Sequence, residues 1–312
     1  MDRQWFRPAV AAVLGLHVVG VVPAGAAAMP PPTPNRAYWV DDSTLRYEGG
    51  IGKTNDVTFT DYNRVPGLTR WMIDDVSAIV PGLGCVNVTG DNTRVICTEQ
   101  EDSISWLTVS LGMGDDTLVF DAFFDTYTRI YGGTGDDTIT VADGADPYVE
   151  VYGEDGADVI TRSGGDAFLR IDGGPGPDQL CAPGGYLTYA NHPAGVVVSV
   201  GGGPAGDDGM PDEGDTVCAG FAGVTGSAYA DGLVAGSGKI NLTGNGGADV
   251  LVGGAGDDTL FGGGGDDLLY GLGGDDWLVG ETGTDTLNGG AGPDDRCDAD
   301  GVDTLTGCED VY

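Results

Sequence analysis

Basic residues are scarce in this chain: Lys and Arg together number 13 against 49 Asp and Glu, so the formal net charge is −36. Binding to nucleic acid needs clustered Lys and Arg, so this balance excludes nucleic acid as an ordinary partner. Anionic lipid surfaces repel such a chain for the same reason. Multivalent cations remain the partners that the charge favours.

The motifs of several enzyme classes are also missing. There is no HExxH for zinc and no GxSxG nucleophile elbow. Gly52-Lys53-Thr54 fails as a phosphate-binding loop, because Tyr47 stands where its first glycine is required. His192 lies in Asn-His-Pro without an identifiable nucleophile. We expect no enzyme. The alternative is a small secreted hydrolase built on residues 36–109 or 182–225, because acidic residues for carboxylate-pair hydrolysis are abundant.

Only one long apolar run occurs, at the N-terminus. Arg3 and Arg7 precede the run Pro8 to Val22, and small residues follow at Ala24 to Ala28. This order is typical of a cleaved export signal, which we place at residues 1–28. A membrane anchor is the alternative, but the run is shorter than the roughly 20 residues that span a bilayer. We therefore predict a secreted protein with no membrane insertion.

Glycine is abundant, with 58 residues, and this raises the question of disorder. Hydrophobic residues nevertheless make up 40% of the chain, and they are evenly spaced. From Gly226 to Thr306 the chain divides into nine units of nine residues without a gap, for example GGAGDDTLF, GGGGDDLLY and GLGGDDWLV. Position eight is Leu in eight of the nine units, with Arg296 the exception, so the regular pattern favours a folded chain.

Position six of these units carries aspartate throughout, except at Ile240. The aspartates are Asp231, Asp249, Asp258, Asp267, Asp276, Asp285, Asp294 and Asp303. The pattern GGxGxDxUx resembles the RTX, or hemolysin-type, calcium-binding repeat family. That resemblance implies a parallel β-roll in which the position-six aspartates and the turn carbonyls bind Ca²⁺. In two central units the turn glycines concerned are Gly253, Gly254, Gly256, Gly262, Gly263 and Gly265.

The nine-residue spacing also has a physical explanation. GGxGx forms a tight turn, because glycine adopts positive φ without steric cost, and DxUx forms a short strand with one inward side chain. Two units make a coil of eighteen residues, so aspartates eighteen apart stack about 4.8 Å from one another. Two carboxylates about 5 Å apart repel by about 3 kcal/mol at an effective dielectric of 20. Ca²⁺ relieves this repulsion better than Mg²⁺, because it accepts six to eight oxygens in flexible geometry.

Each of two predicted ladders follows one edge of the roll. One holds Asp231, Asp249, Asp267, Asp285 and Asp303, and the other holds Asp258, Asp276 and Asp294. The acidic residues at position five, Asp257, Asp266 and Asp275, are expected to face solvent.

An upstream block repeats the motif at intervals of 20–21 residues, starting at Leu111, Gly132, Gly153 and Gly173. We interpret each interval as one full coil in which a longer loop without metal replaces the second turn. Asp116, Asp137, Asp158 and Asp178 then stack on a single edge.

The flanking segments complete an all-β organisation with caps. We predict a β cap region at 29–109, a first block at 110–181, an acidic insert at 182–225, and the main roll with its C-terminal cap at 226–312. In the insert, Asp207, Asp208, Asp212, Glu213 and Asp215 form either a further cation site or a solvated loop.

Six cysteines fit an exported, oxidised protein, and no CxxC pair suggests zinc. Sequence leaves fifteen pairings open; proximity suggests Cys85–Cys97, Cys181–Cys218 and Cys297–Cys308. The hypothesis is therefore a secreted module that folds on binding several Ca²⁺ ions and serves a structural or cell-surface adhesion role. A cell-surface or polysaccharide ligand is left open. A pore-forming toxin is disfavoured, since no hydrophobic membrane domain is present.

Overall fold

The computed structural model describes residues 33–41, 44–51, 53–61, 70–98, 106–121, 127–142, 148–164, 168–202, 206, 208–298 and 301–312. The predicted signal peptide, 1–28, and residues 122–126, 143–147 and 165–167, which belong to the predicted longer loops of the first block, lie outside these residues. All regular elements of the described ranges are β-strands. None of these residues forms a helix with the length and hydropathy needed to cross a membrane.

Seven strands form the N-terminal part: β1 (Asn35–Asp41), β2 (Thr44–Glu48), β3 (Asp56–Asp61), β4 (Arg70–Asp74), β5 (Ile79–Pro81), β6 (Cys85–Val88) and β7 (Asp91–Thr98). Eight follow in the first block: β8 (Trp106–Met113), β9 (Thr117–Asp121), β10 (Tyr127–Thr134), β11 (Thr138–Val141), β12 (Tyr148–Asp155), β13 (Val159–Arg162), β14 (Phe168–Asp172) and β15 (Gln179–Cys181).

The insert contributes β16 (Tyr186–Thr188), β17 (Val197–Ser199), β18 (Thr216–Val217) and β19 (Gly223–Thr225). The main roll contains β20 (Gly232–Val234), β21 (Asn241–Gly246), β22 (Val250–Gly254), β23 (Thr259–Gly264), β24 (Leu268–Gly273), β25 (Trp277–Thr282), β26 (Thr286–Ala291), β27 (Arg296–Asp298), β28 (Thr304–Thr306) and β29 (Asp310–Val311).

These strands stack into a parallel β-solenoid, which confirms the predicted fold class. One sheet of fourteen strands runs β29-β27-β25-β23-β21-β19-β16-β14-β12-β10-β8-β2-β1-β5. The opposite wall is a nine-stranded sheet, β18-β15-β13-β11-β9-β3-β4-β7-β6, followed by a six-stranded sheet, β17-β20-β22-β24-β26-β28. From β8 to β16 and from β19 to β29 the chain therefore alternates between the two walls, one strand on each wall per coil, whereas the consecutive strands β17 and β18 of the insert both lie on the second wall.

The register reproduces both periods that the sequence shows. In the first block Ile130 of β10 lies opposite Val109 of β8 and Val151 of β12, which are 21 residues away on either side. In the main roll Leu260 lies opposite Leu242 and Leu278, at a spacing of 18. The position-eight leucines from Leu233 to Leu287 are fully buried because they are the inward residues of their short strands, whereas Leu305 near the C-terminus is only partly buried. They belong to one hydrophobic core that extends from Ala37 to Cys297.

The N-terminal segment begins the roll and extends its sheets. β2 and β3 pair in parallel with β8 and β9, so they form the first coil. β1, β4, β7 and β6 then add antiparallel strands at the edge. The two sheets therefore end in β5 and β6 on this side of the roll.

The three disulfides form the pairs that proximity suggested. Cys85 lies directly opposite Cys97 across the hairpin of β6 and β7, and the two are bonded. The other pairs are Cys181–Cys218 and Cys297–Cys308.

Candidate metal centres in the turn ladders

The aspartates of the first block form one continuous ladder of hydrogen bonds, the first ladder. The backbone N–H of each aspartate donates to Oδ1 of the aspartate one coil later. The three N–H to Oδ1 distances that join Asp116, Asp137, Asp158 and Asp178 are each 2.8 Å. Asp178 continues the series by donating to Asp215 at 3.0 Å. The four predicted residues thus lie on one edge, and Asp215 of the insert is a fifth member that sequence reasoning missed.

The main roll carries two such ladders, as its spacing predicted. The second ladder joins Asp231, Asp249, Asp267, Asp285 and Asp303 through N–H to Oδ1 distances of 2.8–2.9 Å. The third ladder begins at Ile240, whose N–H donates to Asp258 Oδ1 at 2.9 Å, and continues from Asp258 to Asp276. Ile240 lacks a carboxylate but keeps the ladder position.

One predicted ladder member is wrong. Asp276 donates its N–H to Oδ1 of Asp295 at 2.9 Å, and Asp295 is fully buried, whereas Asp294 is exposed. The register of the two strands explains the shift, because Arg296 lies opposite Trp277 and Cys297 opposite Leu278. The turn before β27 therefore contains one extra residue, and this turns Cys297 into the core in place of Arg296.

Nine of the ladder carboxylates use only one of their oxygens. Oδ1 accepts the N–H described above, while Oδ2 is buried and, within the described part of the chain, accepts no hydrogen bond. This holds for Asp116, Asp137, Asp158, Asp178, Asp249, Asp258, Asp267, Asp276 and Asp295. A buried, unpaired anionic oxygen costs considerable free energy, so a repeated set of them indicates a missing partner.

Backbone carbonyls converge on the same points. A Cβ placed on Gly253, the first residue of its unit, would lie 2.6 Å from Asp258 Oδ2 and 2.8 Å from the carbonyl oxygen of Gly271 in the next coil. At Gly262 the corresponding distances are 2.5 Å to Asp267 Oδ2 and 3.0 Å to the Gly280 carbonyl oxygen. A side chain at position one would fill the space between a carboxylate and a carbonyl of adjacent coils. Glycine leaves that space open.

The remaining predicted glycines lie at positions where a side chain does not fit. Gly254, Gly263 and Gly265 have φ of 137°, 109° and 139°, which favour glycine. A Cβ on Gly254, Gly263 or Gly265 would collide with a carbonyl oxygen of the preceding coil, and one on Gly256 would lie 2.6 Å from the carbonyl carbon of Gly238. These four glycines therefore allow successive turns to stack closely.

The donor set fits a hard cation that takes oxygen ligands. The cradles at Gly253 and Gly262 each combine a carboxylate with a main-chain carbonyl, and no group of three or more His, Cys, Asp or Glu side chains suited to a metal occurs among the described residues. Zinc is typically bound by four side-chain ligands, often nitrogen or sulfur, which this arrangement does not offer. Ca²⁺ commonly accepts carbonyl and carboxylate oxygens together.

The pKa values of the ladder carboxyl groups also favour a bound cation. Burial raises the pKa of Asp116, Asp158 and Asp249 to about 7, although backbone N–H donors oppose the rise and neighbouring carboxylates add to it. At Asp178 burial, together with Asp215, Asp158 and Glu213, raises the pKa to about 9. Without a cation the ladders therefore hold their carboxylates in an environment that resists ionisation.

The position-five aspartates face solvent, as predicted. Asp257, Asp266 and Asp275 are exposed. Asp257 Oδ1 accepts the N–H of Asp275 at 3.0 Å, so these side chains cap the turns from outside.

Two predicted ligands sit in ladder positions with different surroundings. Asp231 is buried, but its Oδ2 accepts the N–H of Ser227 at 2.6 Å and its Oδ1 accepts the Ser227 hydroxyl. Asp303 is only partly buried, near the end of the second ladder.

The acidic residues of the insert are divided among several roles. Asp208 and Asp215 are buried; Asp208 accepts the N–H of Val217, and Asp215 Oδ2 accepts the Tyr189 hydroxyl at 2.9 Å. Asp212 is exposed, and Asp207 lies outside the described residues.

His192 is buried between two carboxylates. Its Nε2 lies 3.3 Å from Asp172 Oδ1, and its Nδ1 lies 3.7 Å from Glu213 Oε2. Burial by itself would lower the pKa of His192. The hydrogen bond to Asp172 and the nearby acidic charges have the larger effect, so the pKa of His192 is raised. Beside it is a pocket of about 410 Å³ lined by residues that include Tyr152, Glu154, Pro175 and Met210.

Fold and turns together define a parallel β-roll whose stacked acidic turns offer oxygen ligands to cations. Comparison with protein families matches the RTX calcium-binding nonapeptide repeat, in four copies, at residues 129–146, 243–278 and 261–295. The chain is an RTX-repeat protein, and its roll is a calcium-binding module. No curated protein matches the chain.

Proposed function

We propose that Ca²⁺ ions bind between consecutive coils along all three ladders, and that this binding drives the folding of the roll. The unpaired Oδ2 atoms carry the proposal. Six of them lie in a cradle that also receives a carbonyl of the next coil, as at Asp258 with Gly271; they belong to Asp137, Asp158, Asp249, Asp258, Asp267 and Asp276. A dication in the cradle supplies the missing partner and offsets the repulsion between stacked carboxylates.

Binding and folding are coupled because the cradles exist only in the stacked state. A carboxylate and a carbonyl of successive coils, such as Asp258 and Gly271, meet only when the two coils are in register, so the unfolded chain has no such site. Each ion therefore adds stability of about 2.7 kcal/mol when free Ca²⁺ is 100 times its dissociation constant. Several ladder sites in series make the effect large and cooperative.

The biological setting follows from the affinity range. Extracellular calcium modules bind at roughly 10⁻⁴–10⁻³ M. With an export signal at 1–28, the chain stays unfolded where calcium is low and folds after secretion. The folded roll then serves as a structural or cell-surface adhesion module. The disulfides support this setting, since they persist in oxidising compartments.

A structural role of His192 accompanies this function. The contact of its Nε2 with Asp172 Oδ1 at 3.3 Å, and the position of its Nδ1 3.7 Å from Glu213 Oε2, support a role in joining the insert to the end of β14.

Equilibrium dialysis of the mature chain against labelled Ca²⁺, with Mg²⁺ as competitor, tests the proposal. We expect several ions per chain, little displacement by equimolar Mg²⁺, and fewer bound ions in Asp267→Asn than in the matched surface variant Asp266→Asn. Absence of calcium binding, or equal loss of ions in the two variants, would refute it.

A further inference from the structure

The first ladder does not end at Asp116; it continues into the N-terminal coil with an amide in place of the carboxylate. Asn55 donates its backbone N–H to Asp116 Oδ1 at 2.6 Å, the same bond that links every pair of ladder aspartates. Asn55 is completely buried. It therefore holds the ladder position of the first coil.

The side chain of Asn55 fills the cradle that a cation would otherwise fill. Its Nδ2 donates to the carbonyl oxygen of Leu111 at 2.9 Å. Leu111 is the first residue of its unit, so this carbonyl corresponds to the Gly271 carbonyl in the cradle of Asp258. A Cβ on Gly49 would lie against the Leu111 carbonyl and 2.8 Å from Asn55 Nδ2, which reproduces the arrangement seen at Gly253 and Gly262. Where those cradles place two acceptors together, this one places a donor against an acceptor.

The network beyond Asn55 is closed by protein groups alone. Asn55 Oδ1 accepts from Asn35 Nδ2 at 2.7 Å, and Asn35 Nδ2 also donates to Asp75 Oδ2. Asp75 Oδ2 accepts the Tyr47 hydroxyl at 2.9 Å, and Asp75 Oδ1 accepts the N–H groups of Asp56 and Ser77 at 3.2 Å. Asp75 is as deeply buried as the ladder aspartates, yet both of its oxygens have partners. The contrast with Asp116 Oδ2, which has none among the described residues, is direct.

We propose that Asn55 is the residue that ends the calcium series, so that strands β1 to β7 form a calcium-independent foundation on which the first calcium-dependent coil stacks. This inference rests on the proposed function of the ladders. In this foundation the side-chain amide of Asn55 takes the place of the ion, because its N–H links the ladder side chain to the carbonyl of the next coil. The cap then presents β2 and β3 as ready templates for β8 and β9.

The position of a carboxylate should therefore decide where ions bind. Asn55→Asp removes the donor and recreates the acceptor pair of a calcium cradle. We expect Asn55→Asp to bind one more ion than the wild type. Its melting temperature should also fall further than that of the wild type when calcium is removed. Asn55→Ala, the control, leaves the Leu111 carbonyl without a donor and is destabilised at every calcium concentration with no added ion. An unchanged ion number in Asn55→Asp would overturn the proposal.

A second measurement on the wild-type chain covers the case in which the Asn55 variants fail to fold. Hydrogen exchange of the full mature protein in chelator should show protected amides in β2, β3, β4 and β7 and rapid exchange in β21 to β26. Rapid exchange in both regions would overturn the proposal that the cap stands alone. Protection in both regions, together with absence of calcium binding, would refute the proposed function of the ladders instead.

Discussion

Asp276 donates its backbone N–H to Oδ1 of Asp295, nineteen residues later, whereas Asp258 donates to Asp276 after eighteen. The third ladder therefore keeps its hydrogen bond even though this coil contains one extra residue. A carboxylate in ladder position matters more than its place in the sequence frame, since Asp294 is exposed although it occupies position six.

Asp295→Asn and Asp294→Asn therefore form a matched pair. We expect Asp295→Asn to destabilise the calcium-loaded protein by on the order of 2–3 kcal/mol, because one site loses its carboxylate. Asp294→Asn should change stability by less than about 0.5 kcal/mol, as is usual for a surface substitution. Urea unfolding at fixed free calcium measures both. Equal effects of the two changes would show that Asp295 does not hold the ladder position.

The open cradle at position one can be tested by adding a single methyl group. Gly262→Ala places a Cβ 2.5 Å from Asp267 Oδ2 and 3.0 Å from the Gly280 carbonyl oxygen, so we expect loss of at least one bound ion and a lower melting temperature. Gly238→Ala is the control, because a Cβ there meets nothing within 4 Å. Calcium binding by calorimetry and melting by circular dichroism provide the comparison. If Gly262→Ala bound as many ions as Gly238→Ala, the cradle would not be the site.

The raised carboxylate pKa values predict how pH acts on the calcium-free protein. A carboxyl group with a raised pKa in the folded state contributes stability that is fully present below its unfolded pKa of about 3.9 and is lost as pH rises through the folded value. For Asp116, Asp158 and Asp249 that folded pKa is about 7. Metal-free protein should therefore be more stable near pH 5 than near pH 8.

With calcium the direction is reversed, since the ion must displace the protons and its affinity falls as pH falls. Melting curves of dialysed and calcium-loaded protein from pH 5 to pH 8 test both statements. A gap between the two curves that stayed constant across this range would contradict them.

Much of the fold could be predicted because the sequence is periodic. Leu at position eight and glycine in the turns determine one inward residue per short strand, and the 18- and 21-residue registers follow from them. The extra residue at Asp295 escaped the prediction because adjacent aspartates fit the frame equally well. Arg296 at an inward position was the available signal, since a buried Cys297 is more favourable than a buried guanidinium.

Other parts of the site have no periodic signal. Asn55 reaches the first ladder from a turn one residue longer than the repeat, and Asp215 reaches it across the insert after 37 residues. Their positions depend on the path of loops that no constant interval describes. By contrast, the single edge formed by Asp116, Asp137, Asp158 and Asp178 followed from the spacing alone.

The central claim is that the stacked carboxylates need a dication in order to coexist. Thermal unfolding of the mature chain at pH 8, followed by circular dichroism with calcium, with magnesium and with chelator, tests it most directly. We predict one cooperative transition at high temperature in calcium. In magnesium or chelator, the β-signal of the repeats should be largely lost before heating. A chelator-treated protein with the same β-signal and the same melting temperature as the calcium-loaded protein would contradict the claim.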